Sequence, residues 1–190
     1  MFSQHGAIYK TRVRLLPAAV SGFSSAVVFF AIYYITLGLL PPTSIPIGDY
    51  HPISAWDERL DISQFIGTIL HPPYATHLTW WIGASCLLIL LTGGGIAFRF
   101  LCAWGLVRAT MPLGMIFGTA LMFGITSAIS LGSGFNPAVM RQALPDVGFF
   151  FLGWTGWALL QMILCFLAYG CTLAADSSRG KMPHDTSAQR

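Results

Sequence analysis

Residues 15–40 read LLPAAVSGFSSAVVFFAIYYITLGLL, an apolar run without one charged side chain. About 20 such residues in a helix cross the hydrocarbon core of a bilayer. The basic start ahead of it, with Lys10, Arg12 and Arg14, is like the front of a signal peptide. The apolar part is nevertheless longer than the roughly 7–15 residues of a signal-peptide core, and no small-x-small cleavage site directly follows. The run therefore reads as an uncleaved first span, ended by Pro41 and Pro42.

Three more stretches of this kind follow, at about 76–101, 110–131 and 147–175. Each is long enough to cross as a helix, the form that pairs every backbone group internally where water is absent. Composition agrees. The chain has 190 residues, 55% hydrophobic and only 9% charged, whereas soluble domains carry about 25% charged residues. Fourteen Phe, six Trp and six Tyr suit lipid-facing surfaces and interfacial belts. The expected fold is an all-α membrane protein: a bundle of four transmembrane helices with an amphipathic segment in the first outer loop. Nearly the whole chain, 1–175, forms one transmembrane domain, and residues 176–190 form a polar cytoplasmic tail.

Charge placement orients the spans. Lys10, Arg12, Arg14, Arg99, Arg108, Arg179, Lys181 and Arg190 fall on one side, and only Arg59 and Arg141 on the other. The positive-inside rule places both termini in the cytoplasm, as expected for a multi-pass protein of a bacterial inner membrane. The connection between the second and third spans is short, so these helices should be antiparallel neighbours. The longest connection, 41–75, is then outside. Within it, residues 54–70 read as a helix: Ser54 caps, Trp56, Leu60, Phe65, Ile66 and Ile69 form an apolar face, and Asp57, Glu58, Arg59, Asp61 and Gln64 take polar positions. Its polar face is mainly acidic, which favours contact with protein over anionic lipid.

Candidate chemistry is sparse. A bis-His haem within the bilayer needs facing imidazoles on two spans. Only the second span carries a histidine, His77 at its outer start, so no intrinsic haem of that type is expected. His77 remains the candidate for a single-ligand pigment or haem, beside Trp80 and Trp81. His51, His71 and His77 are metal-ligand types on one side of the membrane, without a recognised ligand spacing. Cys86, Cys102, Cys165 and Cys171 lie in or at the ends of apolar segments with no C-x-x-C pair, as small packing residues do. Gly93-Gly94-Gly95 lacks the Lys-Ser/Thr of a phosphate loop, and Gly132-Ser133-Gly134 lacks the frame of a nucleophile elbow. Nothing suggests nucleic acid.

Transport would call for ionisable groups inside the bundle. None stands near the middle of any span, and Gln161 is the one amide deep in the fourth. Small residues are the clearer signal, because in lipid they let helices pack closely. Gly114 and Gly118 form a G-x-x-x-G in the third span, and Gly153 and Gly156 lie in the fourth. With Trp56, Phe65 and Trp80, these are the residues expected to pack helices or meet a partner. The leading expectation is a non-catalytic accessory or structural subunit of a larger membrane complex, respiratory or photosynthetic, whose partners are other membrane subunits and lipids. The alternatives are a small oligomeric transporter or channel, and a membrane enzyme with an outer-face metal.

Overall fold

The structure, a computed structural model, describes residues 15–39, 61–70, 77–140 and 156–179. Six helices occupy them: α1 (Leu15–Leu39), α2 (Ile62–Leu70), α3 (His77–Ala103), α4 (Met111–Ser133), α5 (Pro137–Met140) and α6 (Gly156–Arg179). Four of them, α1, α3, α4 and α6, are long and apolar enough to span a membrane. The protein is a multi-pass membrane protein.

The distribution of side chains follows from lipid as solvent. Leu16, Val20, Phe23, Ile35 and Ile89 face outward, while Ser21, Ser25, Thr126 and Gln161 are buried. Burying apolar surface drives little association between helices in lipid, so close packing and interhelical hydrogen bonds hold the bundle. On α1 the buried positions Ala18, Ser21, Gly22, Ser25, Ala26, Phe29, Tyr33 and Leu37 recur every three or four residues, which is one helical face.

Around the bundle the order is α3, α1, α6, α4, and the tightest seams between spans are α4/α6, α1/α3 and α1/α6. Glycines explain the close ones. A Cβ on Gly114 would meet the Gly170 carbonyl of α6, and one on Gly118 the Phe166 carbonyl. Gly22 of α1 lies in the same way against Gly95 of α3. The short connection between α3 and α4 does not make their backbones the closest pair. Those two helices meet through large side chains: Phe98 and Phe117 rings lie 5.0 Å apart, and Leu121 reaches Gly94. The reason is that α4 turns Gly114 and Gly118 toward α6, leaving bulky residues for α3.

Helix ends obey local chemistry. After α3, Leu106 N–H donates to the Leu101 carbonyl (3.0 Å) and Gly105 N–H to that of Cys102 (3.2 Å). This pair of bonds closes a Schellman cap, whose left-handed residue is Gly105 at φ +75°. Helix α4 starts behind extended Thr110 with Pro112 in its first turn, where a missing N–H is harmless.

Two element boundaries differ from the sequence reading. Residues 176–179, expected as tail, continue α6 because Asp176 is tied to both neighbouring helices. Of the expected loop helix 54–70, the described part is α2, whose N-cap is Asp61; residues 54–60 lie outside the described residues, as do 41–53, 71–76 and 141–155.

Candidate functional site

Helix α2 is short, yet Ile62, Ser63, Phe65, Ile66, Gly67 and Thr68 are all buried. It lies directly on the start of α3: a Cβ on Gly67 would strike the Thr79 carbonyl, and one on Gly83 the Ser63 carbonyl. Two glycines facing each other's helices thus bring the backbones together. That approach sets the N-terminus of α2 against the last turns of α1.

Asp61 stands at this junction. Its main-chain carbonyl accepts the Phe65 N–H (2.9 Å), and its Oδ1 accepts the Ser63 N–H (2.8 Å), so the carboxylate caps α2. The same carboxylate receives the Trp80 Nε1–H of α3 at 2.9 Å and the Tyr34 hydroxyl of α1 at 3.2 Å. Ser63 and Tyr34 hydroxyls are 2.9 Å apart, and Trp80 Nε1–H also reaches Tyr34 Oη at 3.0 Å. Adjacent on α1, Tyr33 Oη accepts the Ile62 N–H (2.9 Å). One carboxylate therefore gathers donors from three helices.

Two effects oppose each other at Asp61. Burial raises its carboxyl above the ordinary 3.8, while the Ser63 amide, the Trp80 indole, and the Tyr34 and Ser63 hydroxyls pull it down; burial wins. Those donors stabilise the ionised form, but no cation stands among them to offset desolvation. Beside it on α2, the amide nitrogen of Gln64 is buried without a hydrogen-bond partner.

Further ties surround the junction. Gln161 of α6 donates to the Tyr33 carbonyl (2.8 Å) and to Thr36 Oγ1 (2.9 Å). Asn136, after α4, donates to Thr68 Oγ1 of α2 at 2.9 Å. Nearer the middle, the Tyr169 hydroxyl of α6 donates to the Leu91 carbonyl of α3 (2.6 Å).

The residues singled out from sequence are distributed unevenly. Trp80 is in the junction, and Phe65 is a core residue at 2% exposure. Gly114 and Gly118 pack against α6 within this chain. His77 and Gly156 begin α3 and α6; Trp56, His51, His71 and Gly153 lie outside the described residues. No cluster of three metal-ligand side chains occurs among the described residues. Asp61, assigned to the polar face of an amphipathic helix, instead turns into the bundle. Tyr34, Ser63, Gly67, Gly83 and Asn136 had no signal of their own. The one available clue was the pairing of a small residue in each helix, Gly67 and Gly83, flanking Asp61 and Trp80.

Comparison with protein-family models, curated proteins and solved structures finds no match. Fold and site together define the class alone: a four-span helical membrane protein with a hydrogen-bonded carboxylate joining its first loop helix to two spans.

Proposed function

We propose that the protein is a structural, non-catalytic subunit of a larger membrane complex, its termini cytoplasmic and its Asp61 junction on the opposite face. The observation that carries this reading is how the bundle uses its polar side chains. Asp61, Trp80 and Tyr34 lock α2 to α1 and α3, Gln161 locks α6 to α1, and Asn136 locks the exit of α4 to α2. Such ties make a stiff platform, which suits a subunit that positions neighbours. Charge placement supports the orientation, since the basic residues of the N-terminal segment share a side with Arg99 and Arg108.

Mild detergent extraction from the native membrane tests it. A stoichiometric set of co-purifying chains is expected, and their absorption spectrum would assign a respiratory or photosynthetic setting. Recovery of the chain as a lone monomer from several gentle detergents would sink the subunit reading.

Asp61 favours a second reading, a small transporter coupled to protons. An ionisable group enclosed near the ends of membrane spans without a cation among its hydrogen-bond partners is the type of group such proteins titrate. Proton-driven flux in reconstituted vesicles, lost in Asp61→Asn, would select this reading; no flux across a broad solute panel would remove it.

A further inference from the structure

Asp61 has more partners than a helix cap needs. Its Oδ1 already caps α2 by accepting the Ser63 N–H at 2.8 Å. Its Oδ2 faces the Trp80 Nε1–H at 2.9 Å and the Tyr34 hydroxyl at 3.2 Å. Tyr34 Oη stands 2.9 Å from Ser63 Oγ, and either oxygen can donate to the other. The Ser63 hydroxyl also reaches the carboxyl. Asp61, Tyr34 and Ser63 therefore close a ring in which each member meets the other two.

Hydroxyl protons rotate, so such a ring has no fixed direction. With the carboxyl ionised, Tyr34, Trp80 and the Ser63 amide donate to it, and the Ser63 hydroxyl donates to Tyr34 Oη. With a proton on Oδ2, the carboxyl donates to Tyr34 Oη, Tyr34 donates to Ser63 Oγ, and Ser63 donates back to the carboxyl. The Trp80 N–H keeps an acceptor, because it lies 3.0 Å from Tyr34 Oη as well. Both states hold α2 to α1 and α3 without an orphaned donor. A lysine or arginine partner would be stranded when the carboxyl took up a proton, and none is among the hydrogen-bond partners of Asp61.

Few other ionisable groups surround the ring. Tyr33 and Tyr34 stand at the junction on α1. Helices α4 and α5, which also touch α2, have no ionisable side chain. His77 opens α3 three residues before Trp80, and Asp57, Glu58 and Arg59 precede Asp61 outside the described residues. Asp61 and Tyr34 are half-buried, whereas Ser63 is sealed. Two of the three members thus lie at the edge of the bundle, and a proton needs no cavity to enter. Burial without a counter-charge among the donors favours the neutral carboxyl.

We propose that Asp61, Tyr34 and Ser63 form a reversible proton-binding site, in which the hydrogen-bond ring reverses direction as the carboxyl takes up a proton while α2 stays docked. The proton comes from water at that end of the bundle and rests on Asp61 Oδ2, and only hydrogen bonds are exchanged. Tyr34 is the positioning residue. The site would serve the transporter reading but does not rest on it, since a stiff platform carries it equally well.

Infrared titration of the full chain in detergent tests it, following the carbonyl stretch of protonated carboxyl groups with pH. Subtracting Asp61→Asn from wild type isolates the Asp61 band, which is expected to persist above the ordinary carboxyl range and to vanish reversibly at higher pH. Tyr34→Phe keeps the carboxyl and its cap but opens the ring. The ionised form then loses a donor, so the midpoint should rise by about one pH unit, a tenfold change in proton affinity. Where Asp61→Asn fails to fold, the difference between wild type and Tyr34→Phe carries the same test. His77→Gln and Arg59→Gln should move the midpoint less than Tyr34→Phe does. Amide hydrogen exchange in α2, corrected for its intrinsic pH dependence, should show equal protection on both sides of the midpoint. Absence of the band above the ordinary range overturns the proposal, as does a midpoint that Tyr34→Phe leaves unmoved or that His77→Gln or Arg59→Gln moves further. Loss of α2 protection on crossing the midpoint overturns it too. These readouts involve neither partner chains nor flux, so they stand or fall apart from the subunit and transporter readings.

Discussion

Asp61 shows how one carboxylate serves two structural purposes. It caps α2 through the Ser63 N–H and, with its remaining lone pairs, takes the Trp80 indole and the Tyr34 hydroxyl. Removing the hydroxyl in Tyr34→Phe leaves Ser63 and Asp61 each short of a partner. Such a deletion costs about 1–3 kcal/mol where the surviving group stays buried, measurable as a lowered unfolding midpoint in detergent. The pH dependence has a definite sign. Burial holds the Asp61 carboxyl above 3.8 in the folded protein, so the folded state binds its proton more tightly than the unfolded chain does. Its stabilising term is complete below the ordinary carboxyl range and is lost as pH rises through the raised value. The wild-type midpoint should therefore fall across that window, and Asp61→Asn should fall less. Parallel midpoint-against-pH curves for the two proteins would contradict this.

Helix seams depend on where the glycines look. On α4, Gly114 faces the Gly170 carbonyl of α6, whereas a Cβ on Gly124 would meet nothing within 4 Å. Gly114→Ala should destabilise by about 1–3 kcal/mol through overpacking. Gly124→Ala should be neutral or gain up to about 1 kcal/mol in helix propensity. Reversible unfolding of the two variants side by side reads the difference, and equal effects would mean that the α4/α6 approach is wrong. Gly105 works by another route: its φ of +75° disfavours any side chain. Gly105→Ala should cost about 1–2 kcal/mol by left-handed backbone strain alone, with no change in α4/α6 contact.

For the molecule as a whole, the α3/α4 seam differs from the other three because side chains bridge it instead of close backbones. Phe98 is fully buried there and rests on Phe117. Truncation by Phe98→Ala removes a large buried ring at a seam where no close backbone approach replaces it, so a loss of about 3–5 kcal/mol is expected. Resistance to unfolding in a denaturing detergent measures it. A loss below about 1 kcal/mol would show that α3 and α4 are held elsewhere. The α1/α6 seam has a polar tie, and Gln161→Leu should cost only about 0.5–2 kcal/mol, the range of interhelical hydrogen bonds in membranes.

Hydrophobic length and total composition are sums along the chain, so residues 15–40 and their three counterparts announced four membrane helices without any knowledge of packing. Glycine spacing likewise announced close helix approach at Gly114 and Gly118. Direction is another matter. Whether those glycines face α3, α6 or another subunit is decided by how helices rotate against one another, and tertiary structure alone turned them to α6. The same holds for Asp61: beside Asp57 and Glu58 it has the pattern of a solvated polar face, and a carboxylate at a helix start caps equally well in water or in a bundle. Only the contact of Gly67 and Gly83, residues 16 positions apart in the chain, draws α2 onto α3 and encloses that carboxylate between Trp80 and Tyr34. Which segments enter the membrane follows from the order of residues alone, because transfer into lipid is additive and local. The tertiary structure decided what each polar and small residue touches, because that depends on surfaces brought together from distant parts of the chain.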